Sequence, residues 1–177
     1  MKVYKKKTVL SPWVTLVEKT VELQSGPATF HCFHQNDYVA VLAVREDGKI
    51  PIVRQFRLGI EKFGWELPGG LVDDGQTPLQ ACYQELHEEV GLRGEEAYSL
   101  GAHFPDGGRL ENKIHSFLVT ATSDPRFEPE PDVEPSFVDW STLMKMIEDG
   151  EFASALHLST LFLANRHPQF QRIVRSL

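Results

Sequence analysis

The pattern of apolar positions divides the chain into a strand-rich first part, one capped helix and a mixed remainder. "TVLSPWVTLVEKTVEL" and "ATFHCFH" read as strands separated by a turn at Ser25-Gly26-Pro27. "YVAVLAVRE" and "IPIVRQFR" are richer in Val and Ile, the signature of strands buried on both faces, and Asp47-Gly48 between them predicts a hairpin. Thr77 and Pro78 then start a helix: Thr as N-cap, Pro at the first helical position, Gln80 closing a capping box, and Gly91 as the left-handed stop. Within it Leu79, Cys82, Leu86 and Val90 recur at helical spacing and define the inward face. A strand "NKIHSFLVTA" follows. The segment "SDPRFEPEPDVEPS" carries Pro125, Pro129, Pro131 and Pro135, which oppose ladder pairing and predict a loop. A short strand "FVDW" and two helices, "STLMKMIEDG" and "FASALHLSTLFLANRH", complete the order. This succession is that of an α/β (α+β) protein, a mixed sheet covered by helices in layers.

Composition narrows the classes. With 177 residues, 41% of them hydrophobic and 24% charged, the chain suits one domain with a real core, or one domain with a small appended sheet. Eighteen basic against 25 acidic side chains leave a net charge of −7, which argues against nucleic acid or an anionic membrane as partner through a broad basic face. A phosphorylated substrate stays compatible if metal ions supply the positive charge. Cys32 and Cys82 lack metal-ligand spacing and read as reduced thiols of a cytoplasmic protein. The Lys5-Lys6-Lys7 run is not followed by an unbroken apolar region, so neither a signal peptide nor a membrane span is expected.

Charge placement on the helix changes the picture more. Glu85, Glu88 and Glu89, at i, i+3 and i+4, gather on a face other than the apolar one, just before Gly91. Like charges at these spacings cost roughly 0.2–0.5 kcal/mol per pair. The helix C-terminus favours cations, by a further ~0.3–1 kcal/mol. A solvated acidic face is one account of the cluster; a divalent cation that turns repulsion into chelation is the other. All-oxygen ligands without Cys or paired His nominate Mg²⁺ or Mn²⁺ over Zn²⁺. His87 points away from the three carboxylates.

These residues carry a family resemblance. Gly70, Glu85-Leu86, Glu88-Glu89 and Gly91-Leu92 resemble the Nudix box, G-x5-E-x7-R-E-U-x-E-E-x-G-U, with its spacing intact. "WELPGGLVDDGQTP", "VRQFR" and "SPWVTLVEKT" resemble the branch that contains ADP-ribose and ADP-sugar pyrophosphatases. Two positions depart from the box: Gln76 stands where the motif has Glu, and Gln84 where it has Arg. Amides can pair, so a Glu–Arg contact is expected to have become a Gln–Gln hydrogen bond.

The resemblance implies a Nudix fold at residues 37–177, with an N-terminal strand region at residues 1–36 that serves dimerisation and base stacking. It implies hydrolysis of the pyrophosphate of a nucleoside diphosphate linked to another moiety, ADP-ribose or another nucleotide sugar, with Mg²⁺ or Mn²⁺ as cofactor and a homodimer as assembly. Glu85, Glu88 and Glu89 would be metal ligands, with the backbone at Gly69 close to the metal and Gly70 close to substrate. Glu85 would have a catalytic role, and a general base is expected on the acidic loop, where Glu128, Glu130 and Glu134 stand, with Glu130 and Glu134 the candidates kept. Strand alternation puts Arg54 and Arg57 on opposite faces, so one of them is expected to be structural, and the resemblance favours Arg57 as the phosphate contact. Trp13 and Phe30 are candidates for stacking the base, although Phe30 equally fits an ordinary core or interface aromatic. "HFPDGGRLENKIH" resembles the proline-containing segment of ADP-ribose pyrophosphatases, but its Asp106-Gly107-Gly108 spacing departs from it, which leaves ADP-sugars, GDP-sugars and other dinucleotide pyrophosphates open. The rival reading is a Nudix-fold module that holds a nucleotide sugar without cutting it, motivated by Gln76 and Gln84.

Overall fold

The computed structural model describes residues 3–10, 15–128 and 132–175. Three antiparallel strands, β1 (Val3–Leu10), β2 (Thr15–Leu23) and β3 (Gly26–His34), form an N-terminal sheet in the order β1-β2-β3. The lysine run lies inside β1, so that strand begins earlier than the apolar pattern suggests. Pro27 falls on β3, an edge strand, where a missing N–H disturbs no inner ladder.

The body holds two further three-stranded sheets. In one, β4 (Tyr38–Arg45) pairs in parallel with β8 (Ile114–Ser123), which pairs antiparallel with β7 (Leu92–His103). In the other, β5 (Ile50–Arg57) lies between β6 (Lys62–Glu66) and β9 (Glu134–Val138), antiparallel to both. The turn at Asp47-Gly48 exists, with Gly48 at φ 80°, yet β4 and β5 do not pair along a ladder. The expected hairpin is therefore a passage from one sheet to the next. Each strand finds longer-range partners, because both of its faces need covering.

Helices cover the sheets on two sides. α1 (Pro78–Val90) packs on β4, β7, β5 and β9; α3 (Ala155–Arg166) packs on β4, β8 and β7. Between them the central strands alternate: Val39, Val41 and Ala43 join Leu86, Val90 and Cys82 in one core, while Leu42 and Val44 join Leu118, Leu143 and Phe152 in the other. Two-sided burial is thus the physical reason for the continuous apolar run in β4. α2 (Trp140–Glu148) and α4 (Pro168–Arg175) close the second core through Leu143 and Phe170, so the end of the chain forms three helices where the pattern predicts two.

α1 has the termini its sequence predicts. Thr77 caps the Gln80 N–H, Gln80 reaches back to the Thr77 N–H, and Gly91 is left-handed at φ 65°. One inward assignment is corrected: Leu79 is 42% exposed, and Ala81 occupies the buried position instead. The predicted loop ends sooner than expected, since Glu134 and Pro135 already belong to β9. Pro135 is tolerated because β9 is an edge strand. Among the described residues no helix is long and apolar enough to cross a membrane.

Candidate active site

The last turn of α1 meets the loop at residues 68–72, which is sewn to β4 by irregular pairing. Val41 N–H donates to Pro68 O at 3.0 Å, Val39 N–H to Gly70 O at 2.8 Å and the Tyr38 hydroxyl to Gly69 O at 2.8 Å; Val72 N–H reaches Asp37 O at 2.8 Å. Neither Gly69 nor Gly70 has positive φ, so backbone freedom is not the reason for glycine here. Space is. A Cβ on Gly69 would run into the Val39 carbonyl, and one on Gly70 would run into the Glu85 carboxylate. The loop backbone and Glu85 are in contact only because residue 70 has no side chain.

The three glutamates have three different environments. Glu89 is buried and held from two sides: Gly69 N–H donates to Oε2 at 2.9 Å and Gln55 Nε2 to Oε1 at 2.5 Å. Glu85 faces Gly70. Glu88 ends an amide relay. Asp73 N–H donates to Gln76 Oε1 (3.1 Å), Gln76 Nε2 to Gln84 Oε1 (2.7 Å), and Gln84 Nε2 to Glu88 Oε2 (3.2 Å). The Gln–Gln bond expected from the sequence is therefore present. Among the described residues no three His, Cys, Asp or Glu side chains stand close enough together to hold a metal ion as they are. The donor chemistry nevertheless fits a hard divalent cation: carboxylates of one helix turn, with oxygen-only ligands and a side-chain-free backbone beside Glu85.

Arg57 and Gln55 project from the same face of β5, two residues apart. Arg57 forms a two-point pair with Glu66, Nε to Oε1 at 3.1 Å and Nη2 to Oε2 at 2.5 Å, which holds its pKa above the ordinary arginine value. Arg54, on the opposite face, pairs with Glu134 at 3.1 Å and lies 4.6 Å over the Phe63 ring. Tyr38 links the two halves of the site. Burial raises its hydroxyl pKa, and it lies within electrostatic reach of Arg57, Glu66, Glu89 and Glu85.

The structure thus brings Gly69, Gly70, Glu85 and Glu89 together, with Glu88 alongside. Glu134 stands with Arg54 at the start of β9, Glu128 is exposed, and Phe30 is 52% exposed on the N-terminal sheet. Trp13 and Glu130 lie outside the described residues. Four contributors escape the sequence reading: Tyr38, Gln55, Glu66 and His157. Gln55 has a usable signal, a polar residue two before Arg57 in an apolar strand; the others show theirs only once the sheets are assembled.

The chain is similar to known proteins over most of its length. The model of the NUDIX domain matches residues 34–158. An ADP-ribose pyrophosphatase of Bacillus subtilis is 31% identical over 147 residues, 80% of each chain. An ADP-sugar pyrophosphatase of Mus musculus is 31% identical over 60% of this chain and 44% of its own length. An RNA pyrophosphohydrolase of Pseudoalteromonas translucida is 41% identical over 49% of this chain and 46% of its own. The crystal structure of an ADP compounds hydrolase superposes with a TM-score of 0.76 at 24% identity, covering 96% of this chain and 95% of that one, a likeness of fold.

Proposed function

The chain belongs to the Nudix family and is a pyrophosphohydrolase of the ADP-ribose/ADP-sugar pyrophosphatase-like type; from that premise we propose that it hydrolyses the pyrophosphate of a nucleotide sugar, ADP-ribose foremost, with Mg²⁺ or Mn²⁺. The observation that carries this reading is the contact of the Glu85 carboxylate with a backbone that has no Cβ at Gly70, beside a Glu89 fixed by Gly69 and Gln55. Similarity over 80% of both chains to an ADP-ribose pyrophosphatase supports the substrate class.

Glu85, Glu88 and Glu89, with the Gly69 backbone, would hold the cation. When bound, such an ion neutralises phosphate charge and makes coordinated water more acidic. The protein's own part is positioning. Gly70 lets the pyrophosphate approach the backbone, and Arg57, with one edge fixed on Glu66, offers its remaining N–H groups to a phosphate oxygen. Glu85 orients the attacking water, and a carboxylate of the acidic segment, Glu130 or Glu134, takes its proton. Water adds to one phosphorus, the bridging P–O bond breaks, and a nucleoside monophosphate and a sugar phosphate leave. Residues 1–36 serve a homodimer in which Trp13 and Phe30 stack the base, in a cytoplasmic protein.

The similarity to RNA pyrophosphohydrolases offers a second substrate, a 5′-triphosphorylated RNA end. A net charge of −7 opposes it, because RNA affinity draws chiefly on basic contacts to phosphates. The test is a substrate panel with Mg²⁺ and with Mn²⁺: ADP-ribose, other ADP-sugars, GDP-sugars and triphosphorylated RNA, with released products identified. We expect AMP and ribose phosphate from ADP-ribose to dominate. Turnover confined to RNA would overturn the substrate assignment.

A further inference from the structure

Helix α3 reaches the site through one buried side chain, His157, which is 2% exposed. One ring nitrogen is hydrogen-bonded and the other lies beside a carboxylate. Leu67 N–H donates to Nδ1 at 3.0 Å, so the neutral ring carries its proton on Nε2, which lies 3.4 Å from Glu66 Oε2. Tyr38 and Phe152 stand edge-on to the imidazole, with centroids at 6.1 and 6.5 Å, and restrict its rotation. Glu66 in turn gives both oxygens to Arg57. Arg57 is 39% exposed, and its Nη1 has no hydrogen-bond partner among the described residues.

An arginine–carboxylate pair on a half-exposed strand can pivot as a unit about the glutamate side chain. A third contact to the carboxylate, from a helix anchored in the second core, removes that freedom. We propose that His157 is a positioning residue that acts through Glu66 to fix the guanidinium plane of Arg57, so that Nη1 faces a substrate phosphate. This rests on the reading of Arg57 as the phosphate contact. The relay ties α3 to the edge of the site without His157 touching substrate. Burial holds the imidazole pKa down to about 4, so the ring stays neutral and its Nδ1 remains an acceptor at neutral pH.

A histidine that merely fills the core would affect folding without regard to Arg57, and kinetics separate the two roles. Steady-state hydrolysis of ADP-ribose is compared for wild type, His157→Leu, His157→Gln, Arg57→Ala and the double variant His157→Leu with Arg57→Ala, each checked by thermal unfolding. Arg57→Ala is expected to raise KM. His157→Leu should raise KM about tenfold with kcat nearly unchanged, the mark of lost ground-state binding. His157→Gln, whose amide can still donate towards Glu66, should recover part of it. In the Arg57→Ala background, His157→Leu should move KM no further. An unchanged KM in folded His157→Leu, or a rise that persists in full without Arg57, would overturn the relay. If Arg57→Ala itself leaves KM unchanged, the phosphate reading of Arg57 falls, and the relay with it. Should His157→Leu not fold, Glu66→Gln carries the same comparison: KM must rise, and the rise must vanish without Arg57.

Discussion

Gln84 sits between two contacts, accepting from Gln76 and donating to Glu88, so a change at either glutamine is felt at a site carboxylate. An arginine at 84 without a glutamate at 76 would place a guanidinium among Glu85 and Glu88 with no partner from the loop. The pair Gln76→Glu with Gln84→Arg should therefore be tolerated, with activity level or raised, while Gln84→Arg alone gains less. In a double-mutant cycle on kcat/KM the coupling should be ~0.5–3 kcal/mol, the range for contacting residues. Strict additivity would mean the relay carries nothing. The glutamine pair is legible in the sequence because both positions lie within one short loop-and-helix segment and two amides are chemically complementary. Gln55, Glu66 and His157 are not legible in this way. Their partners stand 34, 9 and 90 residues away, and only the packed sheets bring each to its contact.

At the scale of elements, α1 is the best-read feature, since its cap, its stop and its apolar period are local. β7 escapes the pattern for a physical reason: it has register shifts between Gly94 and Glu96 and between Ser99 and Gly101, and each bulge breaks the alternation that marks a strand. The β4–β5 hairpin fails for the opposite reason, because a turn signal does not say whether two strands buried on both faces will pair with each other. The element-scale prediction concerns the start of α3. Burial lowers the His157 pKa from 6.5 to about 4. As pH falls through 6.5 the unfolded chain takes up a proton that the folded chain refuses until about 4, so this contribution is complete above 6.5 and lost on the way down to 4. Its size is on the order of 3 kcal/mol. Asp124, held at about 2 by the Arg126 N–H and by Arg93, and Asp47, held at about 2 by Arg45, act in a lower window: their contributions are present above 3.8 and lost towards 2. Urea unfolding followed from neutral pH down to about 4 should show stability falling in wild type and a flatter profile in His157→Gln. Parallel profiles would show that His157 is not held neutral in the fold.

For the whole molecule, two groups stand out among the exposed apolar residues, Phe30 and Phe33 on the N-terminal sheet and Phe56, Leu58, Ile60 and Phe63 around the β5–β6 connection. Surfaces of this kind are what a symmetric assembly covers. Sedimentation at micromolar concentration should give about twice the 20.1 kDa chain mass; a monomer with full activity would remove the shared-site proposal for Trp13 and Phe30. The central claim is narrower, that the carboxylates of α1 and the glycine loop form a cation-dependent hydrolytic site. Glu89 is a poor place to test it, because a glutamine there would turn an amide N–H towards the Gly69 N–H or the Gln55 amide. Glu85→Gln is the cleaner change. Hydrolysis of ADP-ribose is measured in wild type and Glu85→Gln, with Mg²⁺ and with a chelator, after thermal unfolding shows both to be folded. The account predicts that wild-type turnover needs the cation and that kcat in Glu85→Gln falls by about a hundredfold or more, the scale of a lost transition-state contact. Wild-type kcat in folded Glu85→Gln, or turnover indifferent to the chelator, would contradict it.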